Sequence, residues 1–350
     1  MKPFLKWPGG KENELSIIRE SLPAFSGSYV EPFLGGGAVF FDISSPHCFL
    51  NDKSSELVNL YSCIKSRSPL FTRRLEEEGL DFFHLGNLME GHKGEALSLY
   101  EGRISIKEFL GIVAAYFSSL SVAPQEFLSE AEKALRGKLD RVHKLEEVHG
   151  EISDKDKAAA VETALKAAYY VCIRKLLNLR IGSPETQAAA YYFVREYCYS
   201  SMFRYNSSGE FNVPYGGKSY NRKDFQKKVE YVLSSEMQEK ISSASIFNLD
   251  FEEFMEGLDL AREDFVFLDP PYDSEFSTYA QNAFDKEDHV RLRDFLKGTD
   301  AKILLIVKNT DFIYGLYKGG FNIKSFDKKY AVSFMNRNER TVEHLIISNY

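Results

Sequence analysis

Only four cysteines occur in 350 residues, Cys48, Cys63, Cys172 and Cys198, and no two of them share a C-x-x-C spacing. That scatter excludes a disulfide scaffold and argues against structural zinc, so a reducing compartment is expected. No stretch reaches the roughly 18 consecutive apolar residues of a membrane span. The N-terminus, Met1 to Trp7, has no apolar signal-peptide core. A cytoplasmic protein without a membrane or a metal is therefore expected. Positive charge is not in excess either: 44 Lys and Arg against 51 Asp and Glu leave a net charge of −7, which excludes a surface that is basic all over. What is present is ample apolar material, 44% hydrophobic residues against 27% charged, enough for one large domain or two of ordinary size.

Short runs rich in β-branched and aromatic residues lie toward both ends: Tyr29 to Glu31, Cys48 to Leu50, Phe265 to Leu268, Lys302 to Val307 and Glu343 to Ser348. Helix-like segments separate most of them, the alternation of a mainly parallel α/β sheet. From about residue 70 to about 198 the pattern is helical. Val161, Leu165, Ala168, Cys172 and Leu176 recur at spacings of four and three, which puts them on one helical face. Ser153 and Asp154 are candidate caps for that helix and Gly182 a candidate stop; Ser183-Pro184-Glu185 then opens a second helix toward Tyr199. These features predict a helical module inserted into an α/β domain. The insertion ends in Arg204 to Gly217, where Asn-Ser-Ser-Gly turn chemistry between aromatics predicts a hairpin or extended loop. Six positive residues stand against two negative between Ser200 and Lys228, and five against two between Lys324 and Arg340. A solvated basic face explains such stretches as readily as a phosphate-tracking one.

Glu31-Pro32-Phe33-Leu34-Gly35-Gly36-Gly37 reads as a strand, a glycine turn and a helix start, where backbone can approach a ligand closely. The dinucleotide pattern G-x-G-x-x-G fails, because Phe40 takes its third glycine position. Asp52 ends the next apolar run, where an acid can bond ribose hydroxyls. A plain tight turn and a helix N-cap explain the same residues. Asp269-Pro270-Pro271-Tyr272 follows the run Phe265 to Leu268. Its proline pair forbids helix and removes two backbone donors, so the Asp269 carboxylate and the Pro270 carbonyl become adjacent acceptors suited to an amino group. Tyr272 offers a face on which a planar base can stack. At the N-terminus the lone Trp7 stands between Lys6 and Lys11, beside a Pro-Gly-Gly turn.

With Lys6-Trp7-Pro8-Gly9-Gly10-Lys11, Glu31 to Gly37, Asn51-Asp52, an insert ending in Arg204 to Gly216, and Asp269 to Tyr272 in this order, the chain resembles the Dam-type (D12 class) site-specific DNA adenine-N6 methyltransferases. The resemblance covers roughly residues 1 to 65 and 199 to 350. It implies a Rossmann-like methyltransferase sheet, α/β in class, with an inserted, mainly helical target-recognition domain ending in a hairpin. The expected division is 1–70 and 241–350 for the catalytic domain, and 71–240 for the insert with its hairpin at 199–218. It implies S-adenosylmethionine as methyl donor, held by Trp7, Lys11, Phe33, Gly35, Gly37, Asp52, Asp250, Phe251 and Asp269. The implied catalytic residues are Asp269, Pro270, Pro271 and Tyr272. Double-stranded DNA is the implied partner, contacted through Lys6, Tyr199, Arg204, Asn206, Asn212, Pro214 and Lys218, with the target adenine flipped out for reaction and a GATC-containing site compatible with the hairpin pattern. A restriction endonuclease counterpart is compatible with this reading. The chain departs from the family at Ser200-Ser201, where Asn-Gly is usual, and at Lys308-Asn309, where Ser-Asn is. Alternatives are methylation of another amino group, such as cytosine N4, RNA adenine or a protein glutamine, and a DNA-binding module that has lost catalysis.

Overall fold

The computed structural model describes residues 1–271, 284–329 and 341–350 and divides into two compact units, one of Met1–Lys65 with Ser235–Tyr350 and one of Ser66–Ser234. Seven strands form the sheet of the first unit: β1 (Tyr29–Glu31), β2 (Cys48–Asn51), β3 (Ala244–Phe247), β4 (Phe265–Leu268), β5 (Lys302–Lys308), β6 (Asn322–Lys329) and β7 (Thr341–Ser348). Their spatial order is β3-β2-β1-β4-β5-β7-β6. The first five run parallel, with Glu31 opposite Leu50, Asn51 opposite Phe247 and Leu268 opposite Leu305, and β7 is antiparallel to β5 and β6.

Parallel neighbours need crossovers, and the helices supply them. Helix α1 (Leu15–Ser21) precedes β1, α2 (Ala38–Asp42) joins β1 to β2, and α3 (Ser55–Ser66) leads out of β2. The second unit holds α4 (Pro69–Gly91), α5 (Lys93–Tyr100), α6 (Ile106–Phe117), α7 (Pro124–His149), α8 (Asp154–Asn178), α9 (Pro184–Tyr197) and α10 (Phe225–Val232). Helix α11 (Ser235–Ser242) leads into β3, α12 (Phe251–Glu256) joins β3 to β4, α13 (Lys286–Gly298) precedes β5, and α14 (Asp311–Tyr317) precedes β6.

Central position explains the unbroken apolar runs. All four residues of β4 are buried, as both faces of a middle strand must be. Alternate residues Val30, Val266, Leu268, Ile303, Leu305 and Val307 enter one core with Phe254, Met255, Leu292 and Leu296 of α12 and α13. β3 and β6 were not read as strands from the sequence. Both lie at sheet edges, where Ser245, Lys324 and Ser325 are exposed and the apolar signal is diluted.

In the second unit the expected caps form. The Ser153 hydroxyl accepts from Asp156 N–H at the start of α8, and that of Ser183 from Thr186 N–H, ahead of Pro184, at the start of α9. Val161, Leu165, Ala168 and Cys172 are buried on α8. Helix α9 ends at Tyr197 rather than Tyr199, and a short 3-10 turn covers Tyr199–Ser201. The arms of the hairpin meet at two isolated bridges, Cys198 with Tyr215 and Tyr205 with Phe211, instead of a continuous ladder. Helix α8 supplies what the ladder lacks. Tyr170 and Arg174 donate to the Val213 carbonyl, each at 2.9 Å, and the Asn178 amide exchanges bonds of 3.0 and 2.9 Å with the Phe211 backbone. Residues four apart thus form one stripe along the helix that holds the returning arm.

Candidate active site

The strand order reverses at β1: the chain steps outward through β2 and β3 on one side and through β4 and β5 on the other. A crevice opens beyond the carboxyl ends of strands at such a reversal, and ligands of open α/β sheets bind there. Four motif segments end at that edge: the glycine turn after β1, Asp52 after β2, Asp250 after β3, and Asp269 after β4.

The turn after β1 is closed by Gly37 N–H bonding the Leu34 carbonyl at 2.8 Å, with Gly35 at φ 50° and Gly37 at φ 69°. Asp52 braces it from β2, one carboxylate oxygen accepting from Gly35 N–H at 2.8 Å and the other from Ser54 N–H at 2.9 Å. Burial raises the Asp52 pKa, and these two amides act against the rise. A Cβ on Gly35 would stand 2.7 Å from Trp7 Cδ1, and one on Gly37 2.7 Å from the Tyr61 hydroxyl. The Cβ side of these glycines is therefore taken by Trp7 and Tyr61, and the absence of a side chain lets both rings pack against the turn.

At the end of β4, Lys11 is 2% exposed and its ammonium donates to Asp269 Oδ1 and, at 3.0 Å, to the Gly9 carbonyl. The Asp269 side chain is 19% exposed, Pro270 is buried and Pro271 is exposed. Tyr272 lies outside the described residues. Phe33, Phe251 and Phe284 form a triangle with each pair of ring centroids 5.5 Å apart, the rings tilted or edge-on to one another, an apolar aromatic wall of which Phe33 is the partly exposed member.

At this edge sequence reasoning gave no role to two residues, Asn51, quoted only as part of the Asn51-Asp52 motif, and Arg291. The Asn51 side chain donates to the carbonyls of Pro32 at 3.1 Å and Leu249 at 3.2 Å and accepts from Leu249 N–H at 2.9 Å, tying the exits of β1, β2 and β3 together. Arg291 of α13 reaches Asp250 at 2.7 Å, Glu252 at 2.8 Å and Asp288 at 2.7 Å, with its guanidinium 4.8 Å from the Phe251 ring centroid. Burial works against its charge, and the three carboxylates outweigh that and raise its pKa. The contacts of neither had a usable signal in a single sequence, since Asn51 meets Leu249 across 198 positions and Arg291 meets Asp250 across 41.

This edge offers an aromatic wall, an acid beside a glycine turn, and an ammonium–carboxylate pair. The set suits a ligand with a flat ring, a hydroxyl-bearing part and a charged part. Among the described residues no cluster of His, Cys, Asp or Glu could hold a metal ion, and no helix is long and apolar enough to cross a membrane.

The residues expected at DNA fall in both units. Lys6 is exposed in the first. In the second, Tyr199, Arg204, Pro214 and Lys218 are exposed along the hairpin. Arg204 donates to the Asn212 side chain at 2.7 Å and its carbonyl at 3.0 Å, and Asn206 organises the tip by accepting from Ser208 and Glu210 N–H. Lys218 is paired with Asp156.

The chain matches the D12 class N6 adenine-specific DNA methyltransferase family over residues 7–85 and 144–332. It is 28% identical to the type II methyltransferase M.CviBI of Paramecium bursaria Chlorella virus NC1A, over the whole of both chains. It is also 28% identical to the type II methyltransferase M.MjaIII of Methanocaldococcus jannaschii, covering 100% of this chain and 99% of that one. With the DNA adenine methylase of Haemophilus influenzae it shares 22% identity over 91% of this chain and 83% of the relative.

Proposed function

The chain belongs to the D12 class of N6 adenine-specific DNA methyltransferases and transfers a methyl group to adenine in DNA; from that premise we propose that its donor is S-adenosylmethionine and its substrate an adenine flipped out of a specific duplex site. The observation that carries this reading is the buried Lys11 paired with a partly exposed Asp269 at the carboxyl end of β4, beside the glycine turn braced by Asp52.

The donor supplies a sulfonium methyl group that a nitrogen lone pair can attack. The Phe33–Phe251 wall, with Asp250 at its edge, suits the donor's adenine, Asp52 its ribose, and Trp7, Lys11 and the turn of Gly35 and Gly37 its methionine part. Exocyclic N6 of the target is a poor nucleophile because its lone pair is delocalised into the ring. Asp269 and the Pro270 carbonyl, accepting both N6 hydrogens, favour a tetrahedral nitrogen and stabilise the positive charge that develops there. With Lys11 on Oδ1, the second Asp269 oxygen is the one to face N6. The proton leaves after transfer, so Asp269 acts as an acceptor rather than a strong base. Tyr272 stacks on the extruded base. Arg204, held in the hairpin plane by Asn212, is positioned to read a guanine edge, and the retained R-x-N-x-x-G-x-F-N-x-P pattern favours a GATC-containing target.

Methyl-labelled S-adenosylmethionine, duplex DNA and nucleoside analysis test the proposal. Label is expected in N6-methyladenine from duplexes carrying the site and not from scrambled ones. Asp269→Ala should lose about 100- to 1,000-fold in turnover while calorimetry still detects donor binding. Near-normal turnover in that variant overturns the role of Asp269, and failure of the unmodified protein to bind the donor overturns the choice of donor.

A further inference from the structure

Ser200 and Ser201 both stand in the left-handed region, at φ 53° and 52°. A Cβ makes that conformation unfavourable, so residues other than glycine hold it only where their surroundings impose it. Here the surroundings are specific. Arg195, in the last turn of α9, is 1% exposed, and its guanidinium donates to the Ser201 carbonyl at 3.0 Å and the Met202 carbonyl at 2.7 Å. The same group lies 3.4 Å from the Phe203 ring centroid. On the other side, Ser200 N–H donates to the Tyr220 hydroxyl at 3.0 Å, and Tyr199 N–H to the Pro214 carbonyl at 2.8 Å. Ser200 itself is exposed. Burying a guanidinium is costly, and a turn written with glycines would need no clamp. A buried cation fastened to the carbonyls of a strained, exposed turn is a device for fixing backbone direction, and the direction fixed is that of the segment leading to Arg204.

We propose that Arg195 is a positioning residue which, by clamping the Ser200–Ser201 turn, sets the recognition hairpin in the conformation that binds DNA. The proposal rests on the reading of the hairpin residues Arg204, Asn206, Asn212, Pro214 and Lys218 as DNA contacts, a set to which Ser200 does not belong. The clamp acts on DNA and not on the donor, so its loss separates the two affinities. Ser200→Val removes none of the groups that Arg195 bonds but adds a β-branched side chain that opposes positive φ. It should raise KM for DNA about tenfold with donor affinity and kcat at saturating DNA within twofold of normal; Ser200→Gly should leave KM unchanged. Arg195→Met should raise KM for DNA at least as much. Adding Ser200→Gly and Ser201→Gly to it should restore most of the loss, because glycine adopts the turn unaided.

A Ser200→Val variant with ordinary KM for DNA overturns the proposal, as does a triple variant no better than Arg195→Met alone. Should Arg195→Met fail to fold, the valine and glycine variants at the exposed Ser200 still decide. Arg204→Ala separates this idea from the one beneath it. Lost site preference there with Ser200→Val unaffected overturns the clamp alone, and no effect from either overturns the hairpin reading as well.

Discussion

Burial pushes the Glu31 carboxyl from the ordinary carboxylate range to about 8; the Tyr29 hydroxyl, donating at 2.7 Å, opposes this, and the charge of Asp269 adds to it. The Phe40 backbone and Lys240 also favour the ionised form without reversing the outcome. Since the folded value is raised, the folded chain binds a proton that the unfolded chain has released above about pH 4.3. Stability from this group is fully present below that value, falls as pH rises, and is lost through about pH 8. Glu31→Gln keeps an acceptor for Tyr29 and removes the titration. It should flatten the decline in urea midpoint between pH 5 and 8, and a variant that declines as steeply as the parent would show that Glu31 is ionised when folded. The motif residues Lys11, Gly35, Asp52 and Asp269 were legible because each lies in a short contiguous pattern. The protonation of Glu31 was not, because it depends on what the fold stacks around a side chain.

Sheet elements were legible in proportion to their burial. β1, β2, β4, β5 and β7 carry the apolar runs that single them out, whereas the edge strands β3 and β6 mix Ser and Lys into their faces and could not be told from loops. The stripe Tyr170, Arg174 and Asn178 was hidden for another reason: its partners are main-chain groups of a segment more than thirty positions away. Asn51 plays the comparable part in the sheet. Asn51→Asp preserves volume and the bond accepted from Leu249 N–H, but turns both donated bonds into contacts between a carboxylate and a carbonyl. With the site buried, the loss should be about 2–4 kcal/mol in urea unfolding. A change below about 0.5 kcal/mol, the range of ordinary surface substitutions, would show that the strand exits are fastened by other means.

Over the whole chain the charge of −7 is unevenly spread. Fifteen acidic residues face five basic ones between Ser245 and Asp300, and the basic excess lies between Ser200 and Lys228 and in Lys324 to Arg340, of which 330–340 fall outside the described residues. The family match passes over residues 86–143, so α5, α6 and most of α7 are carried by this chain in addition to the shared pattern, and their purpose had no motif by which to be read. Sequence counts also overstate how much basic charge in the hairpin region is uncommitted. Lys218 pairs with Asp156, Arg222 with Glu90 at 3.3 Å, Lys227 with Asp224 at 3.5 Å and Lys228 with Glu196 at 3.7 Å, all within the second unit. Glu196 is buried, but the other three pairs are exposed, weak and readily exchanged, so each of their acids competes with phosphate for its cation. The Lys218 contact lowers the Asp156 carboxyl pKa, and the hydrogen bond from Ser153 acts in the same direction. Asp156→Asn keeps the hydrogen bond from Ser153 and releases Lys218. If Lys218 then neutralises one phosphate, the plot of log affinity for duplex DNA against log salt should steepen by about 0.9, with tighter binding at low salt on specific and scrambled duplexes alike. An unchanged slope in anisotropy titrations would remove Lys218 from the DNA surface and leave the hairpin reading to Arg204 and its neighbours.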